Sequence, residues 1–84
     1  MRVKILSPQE LLFDGEAKEV VLPGYDGEFS VMDFHCSSVH SLRRGQIKVG
    51  FKDRTIPKKR FFIQKGIAQV AMSELRVLVE KYLS

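Results

Sequence analysis

Apolar and polar side chains alternate with period two along most of the chain, the pattern of strands that bury one face. Val3 and Ile5 alternate with Arg2 and Lys4 as far as Ser7-Pro8, where proline fixes its own φ and removes a ladder donor. Leu11-Leu12-Phe13 predicts a second short strand, with Asp14-Gly15 as its turn. Residues 16–22 alternate again, Ala17, Glu19 and Val21 on one face and Lys18, Val20 and Leu22 on the other. Residues 24–27, Gly-Tyr-Asp-Gly, fit a hairpin loop in which Asp26-Gly27 supplies the positive φ such loops usually need. A short run over 29–32 and a weak strand over 38–42 lead to the turn signal Arg43-Arg44-Gly45. The cleanest strand covers 46–51, with Ile47, Val49 and Phe51 inward. Lys52-Asp53-Arg54 turns the chain back, Pro57 marks an edge or a strand entrance, and Phe61-Phe62-Ile63 precedes a Lys65-Gly66 turn into 67–72.

The last segment reads two ways. Leu75, Leu78, Val79, Tyr82 and Leu83 recur at helical spacing behind Ser73, a competent cap; Leu75, Val77 and Val79 also alternate as a strand. The even spacing of short strands and turns before it predicts an all-β fold. We expect a small antiparallel β-sandwich or flattened barrel of about eight to ten short strands, in one domain over residues 1–84.

Composition narrows the setting. At 84 residues the core is small, because a chain this short buries only about 60–65% of the surface its unfolded form exposes. No apolar run approaches the ~20 residues that span a bilayer, and charge and proline interrupt the N-terminal apolar stretch where a signal peptide would be continuous. One cysteine forms no internal disulfide, which suits a reducing cytosol. The net charge of +4 hides a division: residues 1–42 carry three bases against seven acids, residues 43–84 eleven bases against three acids. A basic half suits nucleic acid or anionic lipid, and a two-signed molecule equally suits docking between two protein partners.

Candidate chemistry is sparse. Asp33, His35, Cys36 and His40 are the only cluster of ligand-type side chains, without the second pair a zinc site requires. Cys36 and His35 are sequence neighbours, which on a strand point to opposite faces and so do not pair as nucleophile and base. The glycines form no phosphate-binding motif. The bases of Lys52-Asp53-Arg54 and Lys58-Lys59-Arg60, interleaved with Phe51, Phe61 and Phe62, would suit single-stranded nucleic acid on a small barrel. A domain this short needs Phe51 and at least one of Phe61 and Phe62 in its core, which favours reading the bases as a solvated face. The residues themselves give no sign of an enzyme.

Several steps together resemble the N-terminal β-sandwich domain of the epsilon subunit of F-type ATP synthases, over nearly the whole chain. Val3 to Pro8 is similar to that family's opening strand and "TP" turn, and Phe13-Asp14-Gly15-Glu16 to its "F-x-G-x" step. Val21-Leu22-Pro23-Gly24-x-x-Gly27-Glu28-Phe29 is similar to its most specific motif, "LPGxxGEFG". His35, Ser41-Leu42 and Gly45 sit where the family reads "GHAPLxTSLKPG". Ile63, Gly66 and Ala68-x-Val70 fit "ISGGFAEV", and Leu75-x-Val77-Leu78 the closing strand "VTVLA". Asp33-Phe34 and Cys36-Ser37 depart from the residues that flank the family's histidine, and Ser30 replaces a glycine. The resemblance ends at Ser84, where most relatives continue into two helices that carry inhibition and a nucleotide site.

The resemblance implies a strand for the last segment. It also implies a non-catalytic central-stalk subunit that holds no cofactor and no metal and that bridges the gamma subunit and the c-ring, coupling proton translocation to ATP synthesis. By correspondence Gly24, Gly27, Glu28 and His35 face the c-ring, and Ser7, Pro8 and His35 lie near gamma. The expected location is peripheral, on the cytoplasmic face of a bacterial inner membrane or its matrix or stromal equivalent, without direct insertion, without the inhibitory helices and without nucleic acid. The alternative is a small basic β-barrel module that binds single-stranded nucleic acid.

Overall fold

A computed structural model describes residues 1–33 and 36–84. These residues form eight strands: β1 (Arg2–Leu6), β2 (Leu11–Glu16), β3 (Glu19–Gly24), β4 (Gly27–Val31), β5 (Ser38–Leu42), β6 (Gly45–Gly50), β7 (Lys59–Val70) and β8 (Glu74–Tyr82). The chain is all-β, as the alternation predicts, and its closing segment is a strand. Every pairing is antiparallel except β1 with β8, which run parallel from Arg2↔Glu74 to Leu6↔Leu78.

The long strand β7 belongs to both layers of the sandwich. Its first half pairs with β6, from Val49↔Lys59 to Gly45↔Ile63, and its second half with β5, from Leu42↔Gly66 to Ser38↔Val70. Between the halves its register with β8 shifts at Ile63, Lys65 and Gly66, a bulge that bends the strand. The Lys65-Gly66 turn expected from sequence is this bulge. Glycine is required there because a Cβ on residue 66 would lie 2.9 Å from the Leu78 carbonyl oxygen. The Asp14-Gly15 turn is likewise absent: both residues continue β2, in register with Lys4 and Val3. Arg2 fixes that register with two contacts to Asp14 Oδ1, Nε at 2.9 Å and Nη2 at 2.7 Å.

Inward-facing residues meet between the layers. Val3, Ile5, Ala68, Val70, Leu75, Val77 and Val79 come from β1, β7 and β8; Val20, Leu22, Val31, Ile47 and Val49 come from β3, β4 and β6. All are buried, and among the described residues no polar side chain is buried with them. This apolar area drives the fold at roughly 25 cal/mol per Å2 removed from water. The open edges are closed by rings. Phe13 of β2 packs against Phe51 and Phe61, centroids 6.2 and 6.3 Å away, while Phe29 of β4 lies 4.6 Å from the His40 ring of β5. No helix among the described residues is long and apolar enough to cross a membrane.

Candidate interface surface

The β3–β4 hairpin turns on Tyr25-Asp26 between paired Gly24 and Gly27. Gly27 has φ 121°, a conformation that L side chains rarely adopt, so the glycine of the Asp-Gly pair does what the sequence suggested. Gly24 is buried and serves close packing: a Cβ there would lie 2.9 Å from both the Gly27 carbonyl oxygen and the Phe29 ring. The bare Gly24 backbone thus seats the hairpin against Phe29. Glu28 follows with its side chain 57% exposed, and Lys48 Nζ of β6 lies 3.4 Å from its Oε2.

Arg43 braces the hairpin from below. Its backbone amide donates to the Pro23 carbonyl and its Nε to the Gly24 carbonyl, both at 2.9 Å. The sequence marks Arg43 only as a turn residue, and no local signal shows that its carbonyl partners lie nineteen and twenty residues earlier.

Ser7 and Pro8 form a tight turn in which the Ser7 amide and hydroxyl donate to the Glu10 carbonyl, at 2.9 and 3.2 Å, and the Glu10 amide donates back to Ser7 Oγ at 3.1 Å. This turn and the hairpin tip share one open groove of about 490 Å3, lined by Leu6, Ser7, Pro8, Tyr25, Ile67 and Leu78 among others. Register explains its apolar floor. Leu6 pairs with Leu78, Leu78 with Ile67 and Ile67 with Ser41, giving one row across four strands on the outer face. Tyr25 is 62% exposed above it. The resemblance puts Gly24, Gly27 and Glu28 at the ring and Ser7-Pro8 near gamma, and in the fold the turn and the hairpin tip line one groove. His35, assigned to both, lies outside the described residues.

The other sequence candidates disperse. Asp33 Oδ1 accepts an ion pair from the Met1 ammonium at 2.9 Å, with Glu16 at 3.3 Å on the same group. The His40 ring packs at a 40° tilt against Phe29, and its Nε2 lies 2.8 Å from Ser38 Oγ. Cys36 is exposed, and among the described residues no group of ligand side chains could hold a metal. Phe51 and Phe61 pack partly buried against the core, and Lys59 lies over the Phe13 ring at 5.7 Å, so these rings are not a free stacking platform.

The fold thus defines a small β-sandwich domain whose marked features, a braced hairpin and an open apolar groove, are on its surface. The model of the ATP synthase delta/epsilon chain β-sandwich domain matches residues 1–84, and the chain belongs to that family. It is 35% identical over 80 residues to the ATP synthase epsilon chain of Rickettsia bellii (strain OSU 85-389), spanning 95% of this chain and 74% of that one. It is 37% identical over 76 residues to the epsilon chain of Parvibaculum lavamentivorans, spanning 90% of this chain and 56% of that one. Among solved structures, a chain of the Euglena gracilis mitochondrial ATP synthase (OSCP/F1/c-ring) superposes with a TM-score of 0.86 at 18% identity, over 96% of this chain and 51% of that one. A chain of the Tetrahymena thermophila mitochondrial ATP synthase central stalk and c-ring gives 0.78 at 16% identity, over 99% and 65%. At those identities the two structures attest the fold.

Proposed function

We propose that this chain is a non-catalytic rotor subunit of an F-type ATP synthase. It bridges the gamma subunit and the c-ring, so that proton-driven rotation of the ring is passed to the shaft. The single observation that carries the reading is the contiguity of two unlike surfaces: the hairpin presenting Glu28, and the apolar groove of Leu6, Pro8, Tyr25, Ile67 and Leu78 beside it. An apolar row rimmed by polar side chains is the character of a protein-binding surface, and it suits gamma. An exposed carboxylate on a rigid hairpin suits a basic side chain in a ring loop, with an arginine fork the strongest partner. The family and its central-stalk neighbours support the assignment, and the packed two-layer body supplies the stiffness that torque transfer needs. The peripheral location on the cytoplasmic, matrix or stromal face follows from the same reading.

The test is co-purification of the chain with its own gamma subunit by size exclusion at moderate salt. A one-to-one complex is expected, and Ile67→Asp together with Leu78→Asp should abolish it while the isolated domain keeps its melting temperature. Folded gamma that elutes apart from the unaltered chain would overturn the reading.

A further inference from the structure

We propose that the basic end of the sandwich, opposite the hairpin, is a docking groove for an acidic protein segment that carries an apolar side chain. An open groove of about 550 Å3 lies there, lined by Lys18, Met32, Phe51, Arg54, Ile56 and Lys58, with Glu19 the one carboxylate in its wall. Its floor is apolar, and its rim exposes Ile56 and Met32 at 47% and 50%. Arg2, Lys48, Lys65 and Arg76 each have a carboxylate within 4 Å, and Arg43 donates to a carbonyl. Lys18, Arg54 and Lys58, which line the groove, have none among the described residues, as is also true of Lys4, Arg44 and Lys81, so three unpaired cations face the single carboxylate of Glu19 here.

The loop is built to keep it so. Its only acid, Asp53, accepts from the Thr55 hydroxyl at 2.7 Å and the Thr55 amide at 2.9 Å, and the Ile56 amide donates to the Asp53 carbonyl at 3.1 Å. Those Thr55 bonds hold the Asp53 carboxyl below its ordinary range, so it stays an internal anchor. The same bonds occupy the amides of Thr55 and Ile56, so these two are not available to a phosphate. What faces outward is a spaced set of side-chain cations beside an apolar slot, the complement of carboxylates spaced along a peptide.

Two other polyanions fit less well. Single-stranded nucleic acid needs aromatic faces in the groove, where Phe51 is the one ring in the lining, partly buried and tilted against Phe13, while Phe62, 39% exposed, lies outside it. A membrane is on the wrong side, a clause that rests on the rotor reading: the groove adjoins Glu19, at the far end of β3 from the hairpin, about 17 Å away at strand spacing.

The experiment is an amide-shift titration of the 84-residue chain with a synthetic twelve-residue peptide of glutamates around one leucine. Shifts are expected at Lys18, Gly50, Ile56 and Lys58. Arg54→Glu with Lys58→Glu, and separately Arg54→Gln with Lys58→Gln, should weaken the peptide about tenfold or more, a loss on the order of 1.4 kcal/mol. Replacing its leucine by serine should weaken it severalfold. No shifts at the groove, equal binding of the leucine-free peptide, or tighter binding of oligo-dT or phosphatidylglycerol vesicles would each overturn the proposal. The gamma experiment separates the two readings: a gamma complex without peptide shifts removes the groove, and groove shifts without a gamma complex remove the rotor.

Discussion

Arg43 Nε donates to the Gly24 carbonyl at 2.9 Å, so a side chain after β5 fixes the base of the β3–β4 hairpin. The backbone bond from the Arg43 amide to Pro23 is independent of the side chain. Arg43→Ala therefore removes one charge-assisted bond and leaves a partly buried carbonyl short of a donor, at a cost of about 1–2 kcal/mol. The melting temperature should fall by roughly 4–8 °C per kcal/mol for a domain of this size. An unchanged melting curve would show that water replaces the guanidinium without loss.

At Gly27 the penalty for a side chain lies in the backbone alone, since φ is 121° and a Cβ would meet nothing within 4 Å. Gly27→Val should cost about 1–3 kcal/mol, read as a lowered melting temperature. D-Alanine at the same position, introduced by chemical synthesis, favours positive φ and should restore the stability. If both residues lowered it equally, bulk and not chirality would be the cause.

The alternation of Val3/Ile5, Ile47/Val49 and Leu75/Val77/Val79 made the strands and the core legible, because burial of one face dictates period two. Glycine pairs were less legible. Asp14-Gly15 and Lys65-Gly66 carry the same local turn chemistry as Asp26-Gly27, yet only the last is a turn. Arg2 holds Asp14 in the ladder, and the Leu78 carbonyl demands Gly66 across a bulge. Both causes come from strands distant in sequence. The groove was hidden for the same reason: Ile67 and Leu78 face outward side by side only because β7 and β8 pair in that register. Glu28 and the Ser7-Pro8 turn are singled out by the family motifs alone, since their own chemistry does not stand out.

The Met1 ammonium is an internal cation of the fold. It donates to the Ala17 carbonyl at 2.9 Å and pairs with Asp33 at 2.9 Å and Glu16 at 3.3 Å, tying β1 to the β2–β3 turn and to the end of β4. Burial alone would lower its pKa, but bonds to Asp33 and Glu16, and then their charges, outweigh this and raise it above the ordinary value of 8.0. A folded value above the unfolded one means that the stabilisation is fully present below about pH 8 and lost as pH rises through the raised folded pKa. Denaturant midpoints of the 84-residue chain should therefore fall across that alkaline window. The N-terminally acetylated chain should be less stable at pH 7 and lack this component. Parallel curves for the two chains would remove the ammonium from the account.

Glu28 and Lys48 give the sharpest test of the hairpin as a ring contact, because each can be changed without touching the core. Their pair is exposed and single, worth about 0.2–1 kcal/mol, so it does not hold the carboxylate away from a partner. Glu28→Lys should leave the stability of the domain within about 1 kcal/mol of the parent. In assembled enzyme it should lower ATP-driven proton pumping in membrane vesicles, because like charges would then oppose each other across the contact. Lys48→Ala removes the internal pair while keeping the carboxylate, so pumping should be retained, and Glu28→Gln should fall between the two. Equal loss in Glu28→Lys and Lys48→Ala would make the pair structural. No loss in Glu28→Lys would take the residue out of the ring contact.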